Sequence, residues 1–268
     1  DATSFIRNVH GRGNDPGSDL PDGWSLMQWI NSEIRKLKPE AFSIAEDLGD
    51  NPFITRDSSD GGCGFDSQWD LQFVHTVREA LTAGDDSRRD LNRVRDAIIH
   101  RFNLDSFERI IYTESHDEVA NGKARMPEEL APGNAETYFA KKLSTLGAAL
   151  VFTSAGVPMI FQGQEFLEDD WFHDRDPLDW SKKEKFAGIL QLYRDLIRLR
   201  LNREGYTRGL CGRGTDVYHV NNDVKVIVFH RWDKGGPGDS TVIAANFSIT
   251  ELKGFRTGFP AEGEWHVR

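Results

Sequence analysis

The sequence predicts an α/β protein with a parallel sheet, followed by a small all-β domain. Three observations carry this. Up to about residue 204, short and nearly continuous apolar runs alternate with helix-patterned stretches. That is how strands buried on both faces and joined by crossovers read. Three of the runs turn polar at their ends and open into long loops. Beyond about Arg203 the texture changes to β-like runs joined by Gly and Asp turns, with no helix pattern between them.

Taken in order, the segment up to about Pro21 is rich in Gly, Asp, Asn and Pro and reads as a loop. Asp22–Lys38 reads as a helix, because Leu26, Met27, Ile30, Ile34 and Leu37 recur at helical spacing, and Pro39 ends it. "AFSIAEDL" (41–48) reads as a buried strand with an acidic end, followed by the loop "GDNPFITRDSSDGGCG". "FDSQWDL" (65–71) is a weaker strand, and 71–81 and 89–102 are helical. "FERIIYTESHD" (107–117) is again an apolar strand with a polar end. A helix follows over 137–154, then a strand over 157–166 ("VPMIFQGQEF"), a long loop, and an amphipathic helix over 185–201. "DVYHV", "VKVIVFHRW" and "TVIAANFS" supply the strands of the second domain. The expected division is therefore 1–204 and 205–268.

Composition narrows the function. With 268 residues, 38% hydrophobic and 11% aromatic, the chain can bury a sizeable core. The net charge of −10 argues against a nucleic-acid partner and suits a neutral or cationic ligand. Cys63 and Cys211 are far apart and lack metal-ligand spacing, so two reduced thiols in a cytoplasmic protein are expected. No apolar run reaches the ~20 residues of a membrane helix. No phosphate-binding Gly-rich loop and no metal cluster is apparent, so neither metal nor cofactor is expected. The chain opens at Asp1 without a methionine, which suggests a cleaved protein or a piece of a longer one.

Glu46 ends one strand-like run and Asp117 another, and parallel strands would carry both to one rim. Ligand sites collect there in (β/α) barrels and in doubly wound sheets alike, and the pattern does not separate the two. A pair of carboxylates can run glycoside hydrolysis. Each is equally readable as a helix cap or a loop hydrogen-bonder, as Asp47 and Asp50 are. Trp171 and Trp180 could offer flat apolar rings to sugar faces, or simply pack.

Taken together, the motifs resemble the α-amylase family, glycoside hydrolase family 13. "AFSIAED" looks like the family's fifth-strand motif, "GGCGFDSQWDL" the sixth, "IIYTESHDEVANG" the seventh and "GVPMIFQGQEF" the eighth. The opening "DAT" then resembles the end of the fourth strand. This resemblance implies the C-terminal half of a (β/α)₈ barrel followed by part of a β-sandwich. It implies Asp1 as nucleophile, Glu46 as general acid/base and Asp117 as stabiliser of the transition state. His116 would bind a hydroxyl of the reacting sugar, and Asp47, Gln164 and Trp171 would contact substrate. Glu114 and Glu118 would make loop contacts.

Within the family, "AED", "GGCGFD" and "YTESHD" look most like 1,4-α-glucan branching enzymes. Ser4 and Phe5 stand where α-amylases often carry Lys-His. The implied activity is cleavage of α-1,4 links with transfer to a 6-hydroxyl of glycogen, amylose or starch. An amylase-type hydrolase and a non-catalytic glucan-binding or scaffold protein are the alternatives. The family's first three strands and most of the fourth have no counterpart, so two open sheet edges and an inactive isolated segment are expected.

Overall fold

A computed structural model of the chain describes residues 2–120 and 122–268. The chain forms two compact units. The first holds the residues up to His75, His100–Tyr112 and Gly156–Met159, and the second holds Thr76–Ile99, Thr113–Ala155 and Ile160–Arg268.

The first unit contains a four-stranded, all-parallel sheet in the order β1 (Ile44–Ala45), β2 (Ser67–Trp69), β3 (Arg109–Ile111), β4 (Val157–Pro158). Strand order follows chain order, as it does in an arc of a (β/α) barrel. β1 and β4 form its two edges, as expected of a partial barrel. Ile110 and Ile111 are buried, as residues of a two-sided strand must be. Val74, Ile110 and Tyr112 form one core cluster, joined by Trp69, Leu71, Val157 and Met159.

The segment before Pro21, expected to be loop, holds helix α1 (Thr3–Arg7). Its short length and mixed composition gave no periodicity to read. Its partners lie about forty residues away, with Thr3 N donating to the Glu46 carbonyl at 3.0 Å and Arg7 pairing with Asp47. Helix α2 (Pro21–Leu37) follows, with Pro21 at its first turn and Arg35 and Lys36 in its last. α2 crosses α1 at Gly23, where a Cβ would fall 1.9 Å from the Ile6 carbonyl oxygen. Met27 of α2 packs with Ala45, Ile54 and Cys63, while Leu26, Trp29, Ile30 and Leu37 remain exposed.

The expected strands are shorter than their apolar runs. Backbone pairing stops at Ala45 because Glu46 and Asp47 turn toward α1. Past Ile111 the chain leaves the sheet, and Ser115 caps a helical turn α5 (His116–Val119). The 157–166 run leaves its strand after Pro158, passes Gly163 at φ 88° and closes in a 3-10 turn.

Helix α3 (Leu71–Thr82) follows β2. The second unit contains α4 (Leu91–Ile99), α6 (Met126–Leu130), α7 (Tyr138–Thr153), α8 (Lys182–Lys185) and α9 (Ala187–Arg200). Ala148 and Phe152 of α7 pack on Tyr193 and Leu196 of α9. A three-stranded antiparallel sheet follows: β5 (Gly214–Asn221), β6 (Val226–Trp232) and β7 (Thr241–Asn246). β6 is central, and Val226–Phe229 are all buried. Buried Arg231 ties this sheet down by donating to the carbonyls of Gly214 (3.0 Å), Leu210 (3.2 Å), Gly212 (2.6 Å) and Thr153. Among the described residues no helix is long and apolar enough to cross a membrane.

Candidate active site

Glu46 directly follows β1 and is half-buried, between Ala45 and Asp47, which are both fully buried. Its backbone is fixed from α1. The Thr3 hydroxyl lies 2.9 Å from the Glu46 carbonyl and 3.1 Å from Asp47 Oδ2.

Asp47 is held on both oxygens. Arg7 Nε donates to Oδ2 at 2.7 Å, Arg7 Nη2 to Oδ1 at 2.8 Å, and the Gly49 amide to Oδ1 at 2.9 Å. Burial acts to lower the Arg7 pKa, but the Asp47 hydrogen bond and charge outweigh it and hold the guanidinium above its ordinary value. A bidentate, wholly buried pair of this kind is a structural clamp. Asp47, expected to touch substrate, lies inside it with no exposed surface.

In the second unit, Thr113, Glu114 and Ser115 are buried, whereas His116 and Asp117 expose 49% and 39% of their side chains. Three sets of bonds hold the buried base. Arg78 Nη1 donates to the Thr113 carbonyl at 2.7 Å, and its Nε lies 3.6 Å from Glu118. Glu114 Oε1 accepts from the Met126 amide at 2.7 Å. Gln164 Nε2 donates to Thr113 Oγ1 at 2.7 Å, while its Oε1 accepts from the Phe161 amide. Gln164, expected at the substrate, thus braces the segment that carries His116 and Asp117. His116 Nε2 and Asp117 Oδ1 are 3.5 Å apart.

Burial pushes the Glu114 carboxyl pKa up, against the opposing pull of Arg125 3.7 Å away and of the Met126 amide. Its Oε2 has no hydrogen-bond partner among the described residues.

Asp1 lies outside the described residues. Glu46 belongs to the first unit and His116 and Asp117 to the second. Each follows the C-terminal end of a parallel strand of one sheet, immediately after β1 and a few residues after β3.

Trp171 is 53% exposed and lines a cavity of about 520 Å³ with Arg125, Asp170, His173 and Asp176. Trp180, also exposed, leans on Phe166 at 5.2 Å.

Sequence reasoning missed Arg7, Thr3 and Arg78. Their partners are distant in the chain, so no local spacing marks them. An arginine near the end of a short, otherwise uncharged helical stretch was the one available signal.

The α-amylase C-terminal all-beta domain matches residues 218–268. A 1,4-alpha-glucan branching enzyme of Photobacterium profundum is 26% identical across 95% of this chain and 35% of its own length. That of Xanthomonas euvesicatoria pv. vesicatoria is 28% identical across 98% of this chain and 35% of its own. In structure, a pullulanase of Paenibacillus barengoltzii superposes with a TM-score of 0.64 at 17% identity, over 91% of this chain and 42% of that one. A pullulanase of Anoxybacillus sp. complexed with maltotetraose gives 0.62 at 19%, over 84% and 36%.

The chain therefore shares its fold with these pullulanases, and its sequence is similar to members of the α-amylase family, glycoside hydrolase family 13. The particular members it resembles in sequence are 1,4-α-glucan branching enzymes. It spans about a third of their length.

Proposed function

We propose that this chain is part of a retaining α-glucan-processing enzyme, a 1,4-α-glucan branching enzyme. The observation that carries the reading is the succession of Glu46 and His116–Asp117 after the C-terminal ends of parallel strands β1 and β3, in motifs that resemble the family's. Residues 1–204 are its barrel part and 205–268 its β domain. Asp1 attacks the anomeric carbon while Glu46 protonates the leaving oxygen, which gives a covalent glucosyl-enzyme. Glu46, now a base, takes the proton of an acceptor 6-hydroxyl, and that oxygen displaces Asp1 with net retention. Asp117 offsets the positive charge of the oxocarbenium-like transition state, and His116 binds a hydroxyl of the same sugar. Asp47 and Gln164 act here as positioning residues, and Trp171 as a sugar platform. The cysteines, Cys63 buried and Cys211 exposed, are both free, in keeping with a cytoplasmic setting.

The test uses the parent enzyme with amylose. Counting α-1,6 linkages by proton NMR and reducing ends by copper reduction separates the products. Branching raises the first while the second stays nearly flat. Reducing ends that rise without 1,6 linkages turn the assignment to an amylase-type hydrolase. Glu46→Gln abolishes either reaction, because an amide cannot protonate the leaving oxygen.

A further inference from the structure

His100 has no part in the proposed reaction, yet it is built into the sheet end that carries Glu46. It stands in the segment leading into β3, with 18% of its side chain exposed. Its ring lies between two carboxylates from two other segments. Nδ1 is 2.9 Å from Asp70 Oδ2, just past β2, and Nε2 is 3.7 Å from Asp50 Oδ1, in the loop after β1. Phe102 meets the ring edge-on at 5.0 Å.

Asp70 fixes the ring. It is wholly buried, and Arg109 Nη1 donates to the same Oδ2 at 2.9 Å. Burial acts to raise its pKa, but the His100 bond and the Arg109 charge outweigh it. An ionised carboxylate only accepts, so Nδ1 carries a proton in both charge states of the ring. The difference between those states falls on Nε2. The imidazolium turns an N–H toward Asp50, whereas the neutral ring turns a lone pair toward that carboxylate. At 3.7 Å the contact is too long for a hydrogen bond, so it attracts only as an ion pair.

Asp50 stands where a glycine would be less strained. Its φ of 53° lies in the left-handed region. The side chain kept there is the one that meets His100. Burial pushes its pKa up, His100 opposes that, and the charge of Asp70 adds to it. The stretch around Asp50 is short and tied at both ends. Arg7 clamps Asp47, the neighbour of Glu46, and Gln68 Nε2 of β2 donates to the Asn51 carbonyl at 2.9 Å.

We propose that His100 is a positioning residue, which as imidazolium bridges Asp70 and Asp50 and so fixes the loop behind Glu46 against the end of β2. Its bearing on catalysis rests on the role given to Glu46 above. The bridge opens as the ring loses its proton, which for imidazoles falls between about pH 5 and 8.

The first test is NMR of the 268-residue chain, labelled with ¹⁵N at histidine and glycine, across that range. Gly49 is the reporter, since its amide donates to Asp47 Oδ1 at 2.9 Å, beside Asp50. Its signal should move in step with that of the His100 ring. Asp50→Asn removes the charge and tolerates the left-handed backbone. In that variant the ring should still titrate while Gly49 no longer follows it. A Gly49 signal that ignores the ring, or that follows it equally in Asp50→Asn, overturns the proposal.

The second test is the pH profile of the parent enzyme on amylose. His100→Asn keeps a donor near Asp70 and offers nothing to Asp50. It should lower kcat about three- to tenfold near pH 5.5, with KM within about twofold, because a small misplacement of Glu46 acts on the reacting step. At pH 8, where the bridge is open in any case, kcat should be unchanged. Asp50→Asn should behave alike, and the double variant should lose no more than either, because all three break one contact. Should His100→Asn not fold, by far-UV circular dichroism, Asp50→Asn carries this test. Equal losses at both pH values, or none at either, overturn the proposal. A parent enzyme that makes neither branches nor reducing ends, beside a Gly49 signal that follows the ring and ceases to in Asp50→Asn, overturns the catalytic reading and leaves the bridge standing.

Discussion

Replacing Asp47 by Asn tests whether the buried clamp holds the Glu46 strand end. The substitution keeps volume but removes the charge. It turns an NH₂ group toward Arg7 or Gly49 where an acceptor stood. Whichever way the amide turns, its single oxygen replaces only one of the two acceptors Arg7 had there. Arg7 keeps besides it the Gly13 carbonyl at 3.1 Å, the Asn14 oxygen at 3.3 Å and Asp19 at 3.3 Å. Breaking one partner of a buried pair costs about 3–5 kcal/mol, an upper range here because Asp19, 3.3 Å away, still offsets part of the Arg7 charge. For a chain of this size about 2–4 °C of Tm goes with each kcal/mol, so a fall of roughly 6–20 °C is expected. Urea and thermal unfolding measure it. The double variant Arg7→Leu with Asp47→Leu should lose clearly less than the two single losses added, because no orphan charge remains. A loss below about 1 kcal/mol in Asp47→Asn would refute the clamp, since exposed pairs behave that way.

Three further outcomes follow from the same geometry. Glu114→Gln should cost little stability, because burial already disfavours the charged carboxyl and the amide oxygen can still accept from Met126. Its folded pKa lies above the unfolded value, so the native state binds the extra proton. Wild-type stability should therefore decline as pH rises from about 4.3 through the folded value, and the Gln variant should lack that slope in urea midpoints. Asp70 is the opposite case. Although burial opposes it, bonds from His100 and Arg109, both 2.9 Å long, hold its pKa below the ordinary value. Its contribution is present above about pH 4 and lost as pH falls through the lower folded value, so Asp70→Asn should flatten the acid limb of that profile. Gly23→Ala drives a methyl into the Ile6 carbonyl and should force α1 and α2 apart, seen as a Tm loss of several degrees, whereas Gly61→Ala, with open space around it, pays only for its positive φ.

Much of the fold was legible because its signals are local. Helix α2 announces itself by apolar spacing and two bracketing prolines, and β6 by an unbroken apolar run. Strand lengths were not legible. The runs at 107–117 and 157–166 continue past their pairing because apolar residues are equally needed beneath a turn. Tyr112 is as buried as Ile110, yet it lies beyond the end of β3. The resemblance supplied the names of Glu46, His116 and Asp117, but the residues that hold them are Thr3, Arg7, Arg78 and Gln164. Those act across separations of about 35 to 51 residues, which periodicity cannot detect.

The burial order around the candidate carboxylates carries the mechanistic argument. Glu46 has fully buried neighbours on both sides, and His116–Asp117 stands on three buried residues. A group that gives and takes a proton must reach substrate, while its neighbours must not move. The fixed contacts are therefore placed one residue away, at Asp47 in its arginine clamp. On the proposed function, Glu46 as general acid/base would serve hydrolysis and transfer alike, because both begin by protonating the same leaving oxygen. The choice of acceptor falls to surfaces that hold a second glucan. Water competes at ~55 M, against effective molarities of about 10⁵ M or more for a positioned hydroxyl. On the proposed function, the exposed ring of Trp171 would favour transfer only by keeping a glucan in place between the two displacements. Loss of its ring should then lower branching more than it lowers cleavage.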